Sequence, residues 1–156
     1  MTRRDKIKVA IAMYIVTAGF GGARGATVDD TRATVDEALK CVYFRESSNG
    51  TNPDAYVENH ATALGPLQIT RIVVRDVNRI LGAYVFSYND RLDYDASVEM
   101  FRVYCKHYYK NGTIEQMCRL WYRGPNKKRQ YDKHGDEYWR LILSDAPRRD
   151  AESVKN

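Results

Sequence analysis

From Ala33 to Glu46 the apolar residues recur at helical intervals, and one carboxylate keeps step with them. Val35, Leu39, Val42 and Glu46 lie four, three and four residues apart, the repeat of one face of an α-helix. Ser47-Ser48-Asn49-Gly50-Thr51-Asn52-Pro53 then stops the helix and leaves Glu46 in its last turn. A carboxylate on a packed face is costly to ionise. The negative end of the helix dipole disfavours its charge further. Both effects keep a proton on Glu46 near neutral pH, the condition a general acid needs. The ordinary alternative is a helix-end acid that is solvated or paired with Arg45.

A chain of 156 residues suits one domain with a real core. Its net charge of +5 is concentrated at the start. The first 25 residues carry five basic side chains and one acid, out of 25 and 20 in the whole chain, so the remainder holds 20 against 19. That near-neutral remainder argues against a nucleic-acid partner, which needs a concentrated basic face. Lys127-Lys128-Arg129 and Arg148-Arg149 read as solvated surface with a mild attraction for an anionic polymer. Twelve tyrosines suit ligands with both apolar and hydroxyl faces, sugars among them, as well as ordinary core and rim.

Residues 1–25 read as an export signal. Arg3, Arg4, Lys6 and Lys8 precede the apolar run Val9 to Phe20, and small residues follow, with cleavage after Ala23 or Gly25. An uncleaved membrane anchor is the alternative. On this reading the protein works in the periplasm or outside the cell, residues 26–143 form the domain, and 144–156 is a frayed polar tail.

Along the domain, Thr27 to Arg32 reads as a flexible lead-in. Residues 47–69 read as loop with at most a minor β-hairpin. Thr70 caps a helix over Arg71–Leu81 that Gly82 ends. Ala83–Tyr94 is an aromatic connector. Asp95 is expected to cap a helix through Tyr109. Asn111-Gly112 turns the chain, and Thr113 to Gln116 forms a capping box for a helix through Trp121. Asp136 to Leu143 forms a short last helix. The fold class is therefore mainly α. Cys105 and Cys118 lie at similar distances from the Asn111-Gly112 turn and are candidates for a disulfide, with Cys41 left over. His60, His107 and His134 are scattered, and no His/Cys grouping has the spacing of a metal site. There is no phosphate-cradling glycine loop and no serine nucleophile elbow.

Several motifs occur in a telling order: Arg45-Glu46-Ser47-Ser48 with Asn52-Pro53, Ala63-Leu64-Gly65-Pro66-Leu67-Gln68-Ile69, Arg119 to Asn126, and Tyr138-Trp139. Together they resemble the lysozyme-like superfamily, in particular bacterial lytic transglycosylase-like proteins and invertebrate-type lysozymes. The resemblance spans about residues 36–143. It implies a small lysozyme-like fold, of the α+β superfamily, that cleaves the β-1,4 bond between N-acetylmuramic acid and N-acetylglucosamine in peptidoglycan. Glu46 matches the family's catalytic glutamate, and Gln68, with Gly65, matches the Gly-x-x-Gln motif that lines the sugar cleft. Tyr122, Gly124 and Asn126 fall in the other cleft-lining segment. The family usually has Asn where this chain has Tyr122, and a small residue where it has Arg123.

Glycoside hydrolysis normally uses two carboxylates. Invertebrate-type lysozymes place the second one just before the Gly-x-x-Gln segment, and Glu58 comes nearest, with Asp54 the other candidate. Lytic transglycosylases manage with one glutamate as acid and then base, closing a 1,6-anhydro ring. With Glu46 the one strongly supported carboxylate, the transglycosylase route is favoured, with a hydrolytic lysozyme or an inactive sugar-binding scaffold as alternatives. None needs a cofactor. The expected partners are peptidoglycan glycan strands, with an envelope-spanning or phage assembly as a further one, and the expected state is a monomer.

Overall fold

The computed structural model describes residues 28–57 and 62–153. It is mainly helical, with six α-helices among the described residues: α1 Val28–Ser47, α2 Arg71–Leu81, α3 Tyr94–Tyr108, α4 Ile114–Arg123, α5 Lys127–Gln130 and α6 Lys133–Ser153. Two short 3-10 helices, Pro53–Tyr56 and Tyr88–Leu92, sit in the loops. The expected hairpin reduces to a single antiparallel bridge between Leu64 and Ile69. The export signal assigned to residues 1–25 lies outside the described residues, as do Glu58 and His60. No helix among the described residues is long and apolar enough to cross a membrane.

Helix α1 is the central element and packs against α3, α4 and α6. The face foreseen from its spacing is the buried one: Val35, Leu39 and Val42 are joined there by Ala38, Cys41 and Phe44. The helix begins at Val28 rather than Ala33. The polar stretch 28–32, expected to be flexible, contains neither Gly nor Pro to interrupt the helix.

Local chemistry sets most of the other boundaries. The Thr70 hydroxyl accepts from the Val73 N–H at 3.4 Å, and Gly82 closes α2 in the left-handed conformation at φ 66°. Asp93, not Asp95, caps α3, taking the Ala96 N–H at 2.8 Å. Asp95 falls inside the first turn, where it complements the helix dipole. Thr113 and Gln116 exchange both bonds of the capping box. Helix α4 runs past Trp121 to Arg123 before Gly124 ends it.

The last helix departs most from expectation. It is continuous from Lys133 to Ser153, so the segment after Ser144 is helical rather than frayed. At its start the Asp132 carboxylate accepts from the His134 and Gly135 N–H groups. Pro147 lies inside it, but both Pro147 and Leu143, whose carbonyl loses its helical donor, are exposed, where solvent can take that acceptor. What holds the segment down is Asp145, which is buried and receives Arg45 Nη1 at 3.0 Å.

The disulfide proposed between Cys105 and Cys118 does not form; all three cysteines are free and buried. Cys118 faces α1 instead, its thiol 4.0 Å from the Ala38 carbonyl.

The loops are tied by buried polar side chains. Asn78 in α2 accepts from the Val85 and Phe86 N–H groups and donates to the Phe86 carbonyl, pinning the connector to the helix. Arg91, only 2% exposed, donates to the carbonyls of Tyr88, Thr62 and Ile69. Gly65 is packed so closely that an added Cβ would stand 1.7 Å from the Arg91 carbonyl oxygen.

Candidate active site

Glu46 occupies the last turn of α1. The chain beyond it turns sharply because Ser48, Asn49 and Gly50 all adopt positive φ, at 49°, 56° and 79°. Asn and Gly tolerate that region best. Ser47 is buried and secures the turn. Its hydroxyl donates to the Tyr43 carbonyl and accepts from the Gly50 N–H.

The Glu46 side chain meets Tyr138 of α6, whose hydroxyl donates to Oε1 at 2.7 Å. Burial pushes the Glu46 carboxyl above its ordinary range; the Tyr138 hydrogen bond and the Arg45 charge pull the other way without overcoming it. Arg45 is engaged with Asp145, so its guanidinium is held to one side. Burial, with the Glu46 carboxylate beside it, raises the Tyr138 phenol well above its usual value. Tyr138 is therefore a neutral donor, and Glu46 is a carboxyl biased towards its protonated form.

Tyr138 also links Glu46 to α4. Its ring is stacked on that of Tyr122, with centroids 4.3 Å apart and planes 2° from parallel. Tyr138 is buried, whereas Tyr122 is 47% exposed. The Arg123 guanidinium lies 5.7 Å from the Tyr122 ring and is ion-paired with Asp132 at 2.5 Å. Tyr122 and Arg123 thus form an aromatic surface with a braced cation beside it.

The other candidate residues divide by role. Gln68 is half-buried, and its amide donates to the Ala55 carbonyl at 2.8 Å and the Gly65 carbonyl at 3.1 Å. It closes the 62–69 loop onto the 3-10 turn that follows Glu46. Leu67 next to it accepts the Trp121 indole N–H at 3.0 Å, which draws this loop to the end of α4 beside Tyr122. Gly65 serves the packing described above. Gly124 is the C-cap of α4 at φ 72°, with open space where a Cβ would stand. Asn126 is exposed and caps α5, its side chain accepting from the Lys128 and Arg129 N–H groups. Asp54 is exposed at the start of the 3-10 turn.

Tyr138 is the residue whose role the sequence reading did not assign. The signal for it is the spacing Tyr138, Ile142, Asp145, four and three residues apart, which is the buried face of α6. A further aromatic pair, Tyr43 and Tyr94 at 4.8 Å, lies one helical turn before Glu46. Among the described residues no group of three or more His, Cys, Asp or Glu side chains is arranged to hold a metal ion.

No family model, curated protein or solved structure matches the chain.

Proposed function

We propose that this protein cleaves the β-1,4 bond between N-acetylmuramic acid and N-acetylglucosamine in peptidoglycan, as a lytic transglycosylase with Glu46 as its acid and base. The observation that carries the reading is the Glu46 carboxyl itself. It is biased towards its protonated form by burial at the negative end of α1, is oriented by Tyr138, and stands one ring away from the exposed face of Tyr122.

In this mechanism Glu46 protonates the glycosidic oxygen as the bond breaks. The substrate's own acetamido group stabilises the cation-like sugar centre. The Glu46 carboxylate then takes the proton from the sugar's C6 hydroxyl, which closes the 1,6-anhydro ring, so one residue serves as acid and then base. Tyr138 holds the carboxyl in place and stabilises its anionic stage. The exposed part of the Tyr122 ring, with the Arg123 guanidinium over it, is where a sugar ring can make contact.

Mass spectrometry of purified peptidoglycan digested with the protein tests the proposal. Products ending in 1,6-anhydro-muramic acid are expected. Reducing ends carrying an added water would make the enzyme a hydrolytic lysozyme and direct attention to Glu58 and Asp54 as the second carboxylate. No cleavage by folded protein would leave a sugar-binding scaffold. On this reading the protein acts after export and meets glycan strands directly.

A further inference from the structure

Behind the Glu46 site, α1 and α4 bring two thiols together. Cys41 lies five residues before Glu46, and Cys118 four residues before Tyr122. Cys118 is fully buried and Cys41 is 7% exposed. Each thiol perturbs the other, lowering the pKa of Cys41 and raising that of Cys118. The Cys118 thiol is also 4.0 Å from the Ala38 carbonyl, one turn before Cys41 on the same helix. Arg149 of α6 reaches over the pair and places Nη1 2.8 Å from the Cys41 sulfur. Cys105 is buried elsewhere in the core, where burial alone raises its thiol far above the ordinary value.

The geometry points to Cys41 and Cys118 as a redox-active dithiol that closes to a disulfide between α1 and α4, with Cys41 the attacking sulfur and Arg149 its positioning residue. The asymmetry of the pair supports that order. The Cys118 thiol and the Arg149 charge draw the Cys41 thiol down to about 7, against burial and the more distant Glu37 charge. The Cys41 thiol, together with burial, raises the Cys118 thiol. The thiolate is the attacking species in disulfide exchange. Cys41 is also the more exposed of the two.

The oxidant is a small-molecule or protein disulfide. The Cys41 thiolate attacks one sulfur of the donor, forming a mixed disulfide and releasing one donor thiol. Cys118 loses its proton and displaces the second donor thiol, forming the Cys41–Cys118 bond. One donor disulfide is reduced to two thiols, which carry the two protons lost by the protein. The product ties the helix bearing Glu46 to the helix bearing Tyr122. This inference does not depend on the proposed cleavage of peptidoglycan.

The test is treatment of the full chain with oxidised glutathione, then denaturation, alkylation of remaining thiols and peptide mass spectrometry. Two of three thiols should be lost, with a linked Cys41–Cys118 peptide pair and alkylated Cys105. Cys118→Ser should trap glutathione on Cys41, and Cys105→Ser should behave as wild type. The oxidised protein should melt at least about 5 °C higher than the reduced one, because the bond closes a long loop. Arg149→Gln should slow alkylation of Cys41 at pH 7 without changing which cysteines pair. Three alkylatable thiols after treatment, a glutathione adduct that persists on wild-type Cys41, or any link through Cys105 would each overturn the inference.

Discussion

The Tyr138 hydroxyl donates to Glu46 Oε1 at 2.7 Å across 92 residues of sequence. One helix therefore supplies the carboxyl, and the last helix supplies the hydroxyl bonded to it. Removing only that hydroxyl separates the two contributions. Tyr138→Phe deletes a bond that favours the ionised carboxylate, so the Glu46 pKa should rise further and the alkaline limb of the pH–rate profile should move upward. Stability should fall by about 1 kcal/mol, the usual net worth of such a bond. A profile identical to wild type would show that the bond does not act on the reacting group.

Glu46→Gln should leave the fold intact and lower cleavage of peptidoglycan by at least about 100-fold, the scale of general-acid catalysis. It should also stabilise the protein at neutral pH. Folding raises the Glu46 pKa above its ordinary 4.5, so between the two values the folded state holds more protons than the unfolded one. Stability then falls as pH rises through that window. Melting curves should show the variant above wild type at pH 7, and the gap closing below pH 4.5.

Tyr122→Ala should weaken sugar binding more than turnover. Loss of a stacking face is worth about 0.5–1.5 kcal/mol, so KM for soluble glycan fragments should rise roughly 2- to 10-fold. Tyr122→Phe should keep most of the affinity. Loss of binding in both variants would assign the work to the hydroxyl rather than the ring.

Two glycines should respond differently to the same change. Gly65→Ala places a Cβ against the Arg91 backbone at φ 82°, where nothing flexible can yield, and should cost more than about 3 kcal/mol. Gly124→Ala meets open space, but φ 72° with ψ −173° is a conformation essentially reserved for glycine, so it should cost about 1–3 kcal/mol of backbone strain without the added clash. Chemical denaturation of both variants gives the comparison.

Truncation after Ser144 should destabilise the protein. It removes the buried Asp145 partner of Arg45 and the Arg149 contact to Cys41. Asp145→Ala alone should cost about 1–2 kcal/mol, because Arg45 is one-third exposed and can turn to solvent. A truncated chain as stable as the full one would show that the end of α6 contributes nothing.

What could be read from sequence was chemistry confined to a few neighbouring residues. Thr70, Gly82 and the Thr113–Gln116 box each satisfy backbone groups within one turn, and each stands where its residue type placed it. The helix phase of Val35, Leu39 and Val42 likewise predicted the buried face of α1 and put Glu46 beside it. What could not be read was how helices meet. Cys118 turns to Cys41 rather than Cys105, because the choice depends on the packing of α1 against α4, which no local spacing encodes. The extension of α6 was hidden for a similar reason. Pro147 and the polar tail argue for an end, and only the distant Arg45 shows why Asp145 stays buried.

Arg91 joins three separate stretches of backbone through one guanidinium, including both flanks of the loop that bears Gln68. That loop and the 3-10 turn at Tyr88–Leu92 are thus a single mechanical part. Lengthening the connector by one residue should therefore displace the Gln68 loop as well, although α2 lies between the two in sequence. On the proposed reading, homologues that vary in this connector should vary in the glycan they accept while keeping a glutamate at position 46.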